Sequence, residues 1–228
     1  MEKCHVCNQE VKRNMKKLSL MMVLIFTLSL FLCSDASADV ITALAIEVNP
    51  EHLEKTASYA RILGYNEESN TLTVELIAPE VFAREDVLSL QVGDSIYTGG
   101  KEVEIESISP KDVCGVVVFN GGDLFLFENH QDNCYNMMAD EDDYVWSSIA
   151  VLECPVTNSL LFLDYVDEET GSSRSLPAVY SARELTAKIL ADQNAADYSI
   201  GYACNNIYVV FNEAGQLATI QRFYVPWQ

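Results

Sequence analysis

The chain has 228 residues, with 34 acidic against 14 basic side chains and a formal net charge of −20. It is 49% hydrophobic, which excludes a disordered acidic tail, and ten glycines with six prolines exclude collagen-like or low-complexity sequence. So large an excess of carboxylates excludes a domain that grips nucleic acid, because phosphate backbones need a basic face.

Residues 1–38 read as a secretory signal peptide that is removed. Lys12, Arg13, Lys16 and Lys17 form a positive n-region. Leu18–Leu32 is an apolar run of 15 residues, long enough for an h-region and short of the roughly 20 that cross a bilayer. Ala36-Ser37-Ala38 is a small-x-small cleavage site, so the mature chain is expected to start at Asp39. Met15 could open a complete leader by itself, of bacterial style. The expected location is secreted or envelope-associated, with no membrane span after cleavage. Leu30-Phe31-Leu32-Cys33 offers a weaker alternative, a lipid anchor on Cys33. Cys4 and Cys7 form a C-x-x-C pair with no second pair nearby. Cleavage takes five basic and three acidic residues, leaving 9 and 31, a net of −22 on 190 residues.

Four cysteines remain in the mature chain: Cys114, Cys134, Cys154 and Cys204. An even count in an exported protein predicts disulfides. Of the three possible connectivities, Cys114–Cys134 with Cys154–Cys204 has loops that do not cross.

Strand periodicity dominates the remaining sequence. Val40–Val48, Leu72–Leu76 and Lys101–Ile108 alternate apolar with polar residues, and Glu102, Glu104 and Glu106 mark one solvated face. Gly99-Gly100 predicts a hairpin turn, and Ala83–Leu90 a short helix. Pro110-Lys111-Asp112 is a plausible seam. Val113–Phe119 and Leu124–Phe127 read as strands buried on both faces, turning at Asn120–Gly122. Val145–Leu152 and Leu160–Val166 add two strands. Ser181-Ala182-Arg183-Glu184 is a capping box, and Ala182, Leu185 and Ile189 share a face, so a helix is expected over 181–194. A last hairpin spans Ile207–Phe211 and Leu217–Val225. The expected class is α+β with β dominant. A small antiparallel β-barrel (SH3/OB-like) over 39–110 is followed by an antiparallel sheet with one covering helix over 111–228.

Few residues point to chemistry. Nucleophile elbows, P-loops, dinucleotide fingerprints and the H-E-x-x-H signature are absent. The mature chain has two histidines, His52 and His130. Within the acidic run 140–143, Asp140, Asp142 and Asp143 are the candidates for calcium, a cation that takes oxygen ligands, though EF-hand spacing is missing. Carboxylate pairs, which would suit a glycosidase, carry no specificity among so many acids. Trp146, Phe223, Tyr224 and Trp227 offer aromatic faces for a sugar or peptide.

Val87-Leu88-Ser89-Leu90-Gln91-Val92-Gly93-Asp94-Ser95-Ile96 resembles the segment before a barrel strand in sortases, exported cysteine transpeptidases. Ala150–Cys154 is similar to the strand that carries their nucleophile. The resemblance implies Cys154 as nucleophile, His52 as base and Arg174 as the transition-state arginine. Cys154 stands between Glu153 and Pro155, where the family has a Thr-Cys ending. The leading expectation is therefore a non-catalytic module with no cofactor, binding a protein or polysaccharide outside the cytoplasm. An exported hydrolase or sortase-like transpeptidase using Cys154 is the alternative.

Overall fold

The computed structural model describes residues 38–46, 48–109, 115–139, 143–192 and 201–224. Residues 1–37 of the expected leader, Cys114, Asp140, Asp142 and Trp227 lie outside them. Strands and two helices make an α+β, β-dominant fold.

The largest element is a seven-stranded sheet. Its order is β11 (Trp146–Pro155), β3 (Thr71–Pro79), β2 (Ala57–Asn66), β14 (Ile207–Phe211), β15 (Leu217–Arg222), β12 (Leu161–Asp167) and β13 (Ser172–Ser181). Neighbours are antiparallel except β12 and β15. One face packs on helix α2 (Ala182–Asp192) around Leu72, Leu76, Phe162, Leu185, Phe211 and Ile220. The capping box forms as expected: Ser181 N–H and Oγ donate to Glu184 Oε2 at 2.8 and 2.6 Å. Ala182, Leu185 and Ile189 are the buried face of α2.

Between β3 and β11 the chain builds a second core from Phe82, Ile96, Phe119, Leu126, Tyr135 and Met137. Its five-stranded sheet is β4 (Val81–Ala83), β10 (Cys134–Met138), β9 (Leu124–Asn129), β8 (Val116–Phe119) and β7 (Ile108–Ser109). A three-stranded sheet joins β1 (Val40–Thr42) to β5 (Ser95–Thr98) in parallel and β5 to β6 (Lys101–Glu104) antiparallel. Helix α1 (Arg84–Ser89) buries Val87 against this core.

Several expectations change. Among the described residues no closed barrel forms; the three sheets are open, and two of them contain a parallel pair. The expected seam at Pro110-Lys111-Asp112 lies outside the described residues. Alternation in β2 and β3 looks like barrel sequence, yet these strands pair with β14 and β11, far along the chain. The buried residues of the second core thus fall in an insertion between residues 79 and 146, and Ile41 and Ala43 pack against them. The strand expected over Val40–Val48 is only Val40–Thr42. β8 and β9 alternate in burial, with Phe127 exposed, so they are covered on one face and not two. The Gly99-Gly100 turn is as expected, with φ of +56° and +76°, values that β-carbon-bearing residues adopt at a cost.

Candidate functional site

The point where the three sheets meet is Glu80, between β3 and β4. It is a lone carboxylate in the apolar run Leu76–Ala83 and is buried. A buried carboxylate needs donors, and this one collects them from two directions. Thr98 Oγ1 donates to Oε2 at 2.5 Å and Gly99 N–H to Oε1 at 3.1 Å, both from the β5–β6 hairpin. Ser147 Oγ of β11 donates to Oε1 at 2.6 Å. The backbone is equally tied, with Glu80 N–H donating to Val145 O at 2.8 Å and Met137 N–H to Glu80 O at 2.9 Å.

Above this latch lies a cleft of about 370 Å³. Residues 42–46 form one wall, Ser147–Ile149 of β11 the other, and Ala78–Glu80 with Tyr97 and Gly100 complete it. Leu44 N–H anchors the first wall to Val81 O at 2.6 Å. Leu44, Ile46 and Tyr97 are large apolar side chains left exposed there. Among the described residues Glu80 is the single charged one of the lining, and its oxygens are already engaged. Such a cleft can hold an extended segment by apolar contact and backbone hydrogen bonds.

The residues singled out for chemistry lie elsewhere and do not converge. Cys154 sits near the end of β11, opposite Leu72, in the first core. Burial, with the Glu153 charge next in weight, pushes its thiol up to about 11, away from the thiolate a nucleophile needs. Arg174 is in β13, at the other edge of the same sheet, six strand spacings or roughly 29 Å away. Arg174 is spent on Val166 O and Asp167, at 3.1 and 3.2 Å. His52 is exposed on a turn beside Glu54, 3.9 Å away. The stretch resembling sortases falls on α1, a turn and β5, in an open three-stranded sheet.

Cys134, Cys154 and Cys204 are buried thiols, and no disulfide joins any two of them. The expected Cys154–Cys204 bond is therefore not formed; Cys114, the expected partner of Cys134, lies outside the described residues. Asp143 Oδ1 accepts from Tyr144 N–H and Trp146 Nε1 at 2.8 and 3.2 Å, which orders the approach to β11. Among the described residues no group of three or more His, Cys, Asp or Glu could hold a metal ion, and no helix is long and apolar enough to cross a membrane. The aromatic candidates separate: Trp146 packs edge-on against Tyr59 at 5.0 Å, and Phe223 stacks on Tyr165 at 5.1 Å.

One further charged cluster is buried. Asp164 and Arg222, partners in the parallel β12–β15 register, are each 1% exposed. They form a two-pronged pair, Nε to Oδ1 at 2.9 Å and an Nη to Oδ2 at 2.6 Å. Arg222 also reaches Glu168 Oε1 at 2.6 Å and lies over the Tyr202 ring at 4.5 Å. Burial opposes the Arg222 charge; Asp164, then Tyr202 and Glu168, more than reverse this and hold its pKa above the ordinary value. The cluster knits the sheet and leaves no hand for a ligand.

Sequence reasoning did not single out Glu80 or Arg222. The available signal was a lone charge inside an apolar strand, which is rare unless paired. No protein-family model, curated protein or solved structure matches this chain.

Proposed function

We propose that the chain is an exported bacterial protein acting as a non-catalytic binding module, which takes part of an envelope or extracellular component into the cleft above Glu80. The observation that carries this reading is the cleft itself: exposed apolar side chains and small hydroxyls over a floor held by Thr98, Gly99 and Ser147. A floor locked before binding reduces the ordering cost of association. Charge narrows the partner. Lys55, Arg61, Arg84, Arg174, Lys188 and Arg222 are all engaged in ion pairs with carboxylates, so little positive charge is left for an anionic polymer.

The test is an amide spectrum of the isotope-labelled protein, titrated separately with a chitin tetrasaccharide and with short extended peptides. Shifts confined to residues 42–46, 78–80 and 147–149 are expected for at least one probe. Shifts centred on Cys154, or turnover of a probe abolished by thiol alkylation, would overturn the reading. N-terminal sequencing of protein from culture medium is expected to begin at Asp39; intact Met1 on secreted protein would refute the export part.

A further inference from the structure

We infer that the cleft takes up an extended polypeptide segment of a partner protein, which adds as a strand beside β11; this rests on the binding reading above and specifies its ligand.

The two ends of the seven-stranded sheet are built differently. β13 carries Pro177, which has no N–H and guards that edge against added strands. β11 has no proline before Pro155 at its end, and the cleft lies along its start. Hydrogen bonding alternates along an antiparallel pair, which assigns the free groups there. Glu80 N–H bonds to Val145 O, so the next pair, Pro79 with Trp146, is non-bonded, in keeping with proline's missing N–H. Ala78 with Ser147 is then bonded, and Ile77 with Ser148 is not. The backbone groups of Trp146 and Ser148 therefore point to the edge that no other described strand covers. The bulge between Ser148 and Ala150 ends this stretch.

The facing wall offers the same chemistry. Leu44 is anchored to Val81. Ala43 follows the Thr42–Tyr97 pair, so the parallel ladder turns its N–H toward β5, whereas Ala45 makes no backbone hydrogen bond to another described residue. The small side chain of Ala45 leaves its backbone groups open to an incoming chain. Backbone donors and acceptors on both walls of the cleft suit a peptide, whose own groups alternate between both sides. A sugar ring would instead need planar polar side chains, and the lining supplies only Ser147, Ser148 and the hydroxyls of Thr42 and Tyr97. With Glu80 engaged and no cation among the described lining residues, the segment is neutral or basic, with small or β-branched side chains toward Pro79.

The experiment uses the full protein and a panel of heptapeptides that alternate valine or isoleucine with threonine between terminal lysines. Calorimetry is expected to find binding in the micromolar range. Amide exchange at Ser148 and Ala45 should slow on binding. Methylating alternate backbone nitrogens of the peptide should weaken binding by about tenfold or more, with composition unchanged. Ser148→Pro, which removes a free-edge N–H and no sheet bond, should weaken it similarly while leaving the melting temperature of the free protein in place. The proposal falls if no panel member binds below about 1 mM, or if the methylated peptides bind equally well. A tetrasaccharide that shifts the cleft amides while every peptide fails would sink strand addition and leave the binding reading standing. Failure of both probes at the cleft would sink both.

Discussion

The two cores of this protein are assembled over different distances along the chain. In the inserted region, β8, β9 and β10 follow one another as a meander, each pairing with its sequence neighbour. In the large sheet, β2 pairs with β14 across more than 140 positions, and β15 lies parallel to β12. Local pairing closes short loops; distant pairing must close long ones before any contact compensates. The meander of the inserted core is therefore closed by local pairing, with β1 added from the N-terminal side, while the large sheet needs both ends of the chain. Glu80 is where the two are fastened.

The sharpest way to break this comparison is to open each core in turn. Phe211→Ala in the large core is expected to cost about 3–5 kcal/mol and to expose amides in both regions to hydrogen exchange. Phe119→Ala should carry a similar local cost yet expose the inserted strands while β2, β3 and β14 stay protected. Equal exposure in both variants would show that the regions unfold as one unit.

Arg222→Met removes one half of the Asp164 pair and leaves a buried carboxylate uncompensated, at about 3–5 kcal/mol in urea unfolding. Pairing it with Asp164→Leu is expected to recover most of that loss, since two well-packed apolar residues replace two charges. No recovery would mean that the pair stabilises beyond its own desolvation. Glu80→Ala strips the acceptor from Thr98, Gly99 and Ser147, at about 1–3 kcal/mol. It should also split a single melting transition into two, and a variant that still melts in one step would refute the fastening role.

Ser181→Ala removes the cap of α2 and should cost about 1 kcal/mol, visible only in the large core. The smallest effect is acid-dependent. Burial pushes the Glu168 carboxyl up, but the hydrogen bonds from Arg222 and Lys188, with their charges, outweigh it and hold the pKa below its ordinary value. The folded state therefore binds this proton less readily than the unfolded one. Its contribution is complete above the ordinary glutamate pKa of about 4.3 and is lost as pH falls through the lower folded value. Glu168→Gln should flatten that acid limb in denaturation midpoints measured from pH 3 to 6; an unchanged limb would assign it to other carboxylates.

Local features of the fold were readable from residues close in sequence. The capping box named α2, the Gly-Gly turn named the β5–β6 hairpin, and alternating Glu102, Val103 and Glu104 named a half-solvated strand. β10 and β13 were not foreseen, because Asn136 and the Arg174–Pro177 stretch interrupt their patterns and the strands exist by pairing with neighbours. The cleft was invisible for the same reason: its walls, 42–46 and 147–149, lie a hundred positions apart. The cysteine arithmetic misled, since an even number of thiols says nothing about whether their β-carbons meet.

The sequence by itself determined that this is a β-dominant chain with acidic strand faces and one capped helix, because periodicity and capping act within a few residues. Glu80, Asp164 and Arg222 stand as lone charges in apolar strands, but no local pattern singled them out. Only the tertiary structure decided that Asp164 and Arg222 accommodate each other, and that Glu80 is held by a hairpin and a serine from a distant strand. Partner choice across long loops depends on which strands pair and in what register, a property of the assembled sheet and not of any local window.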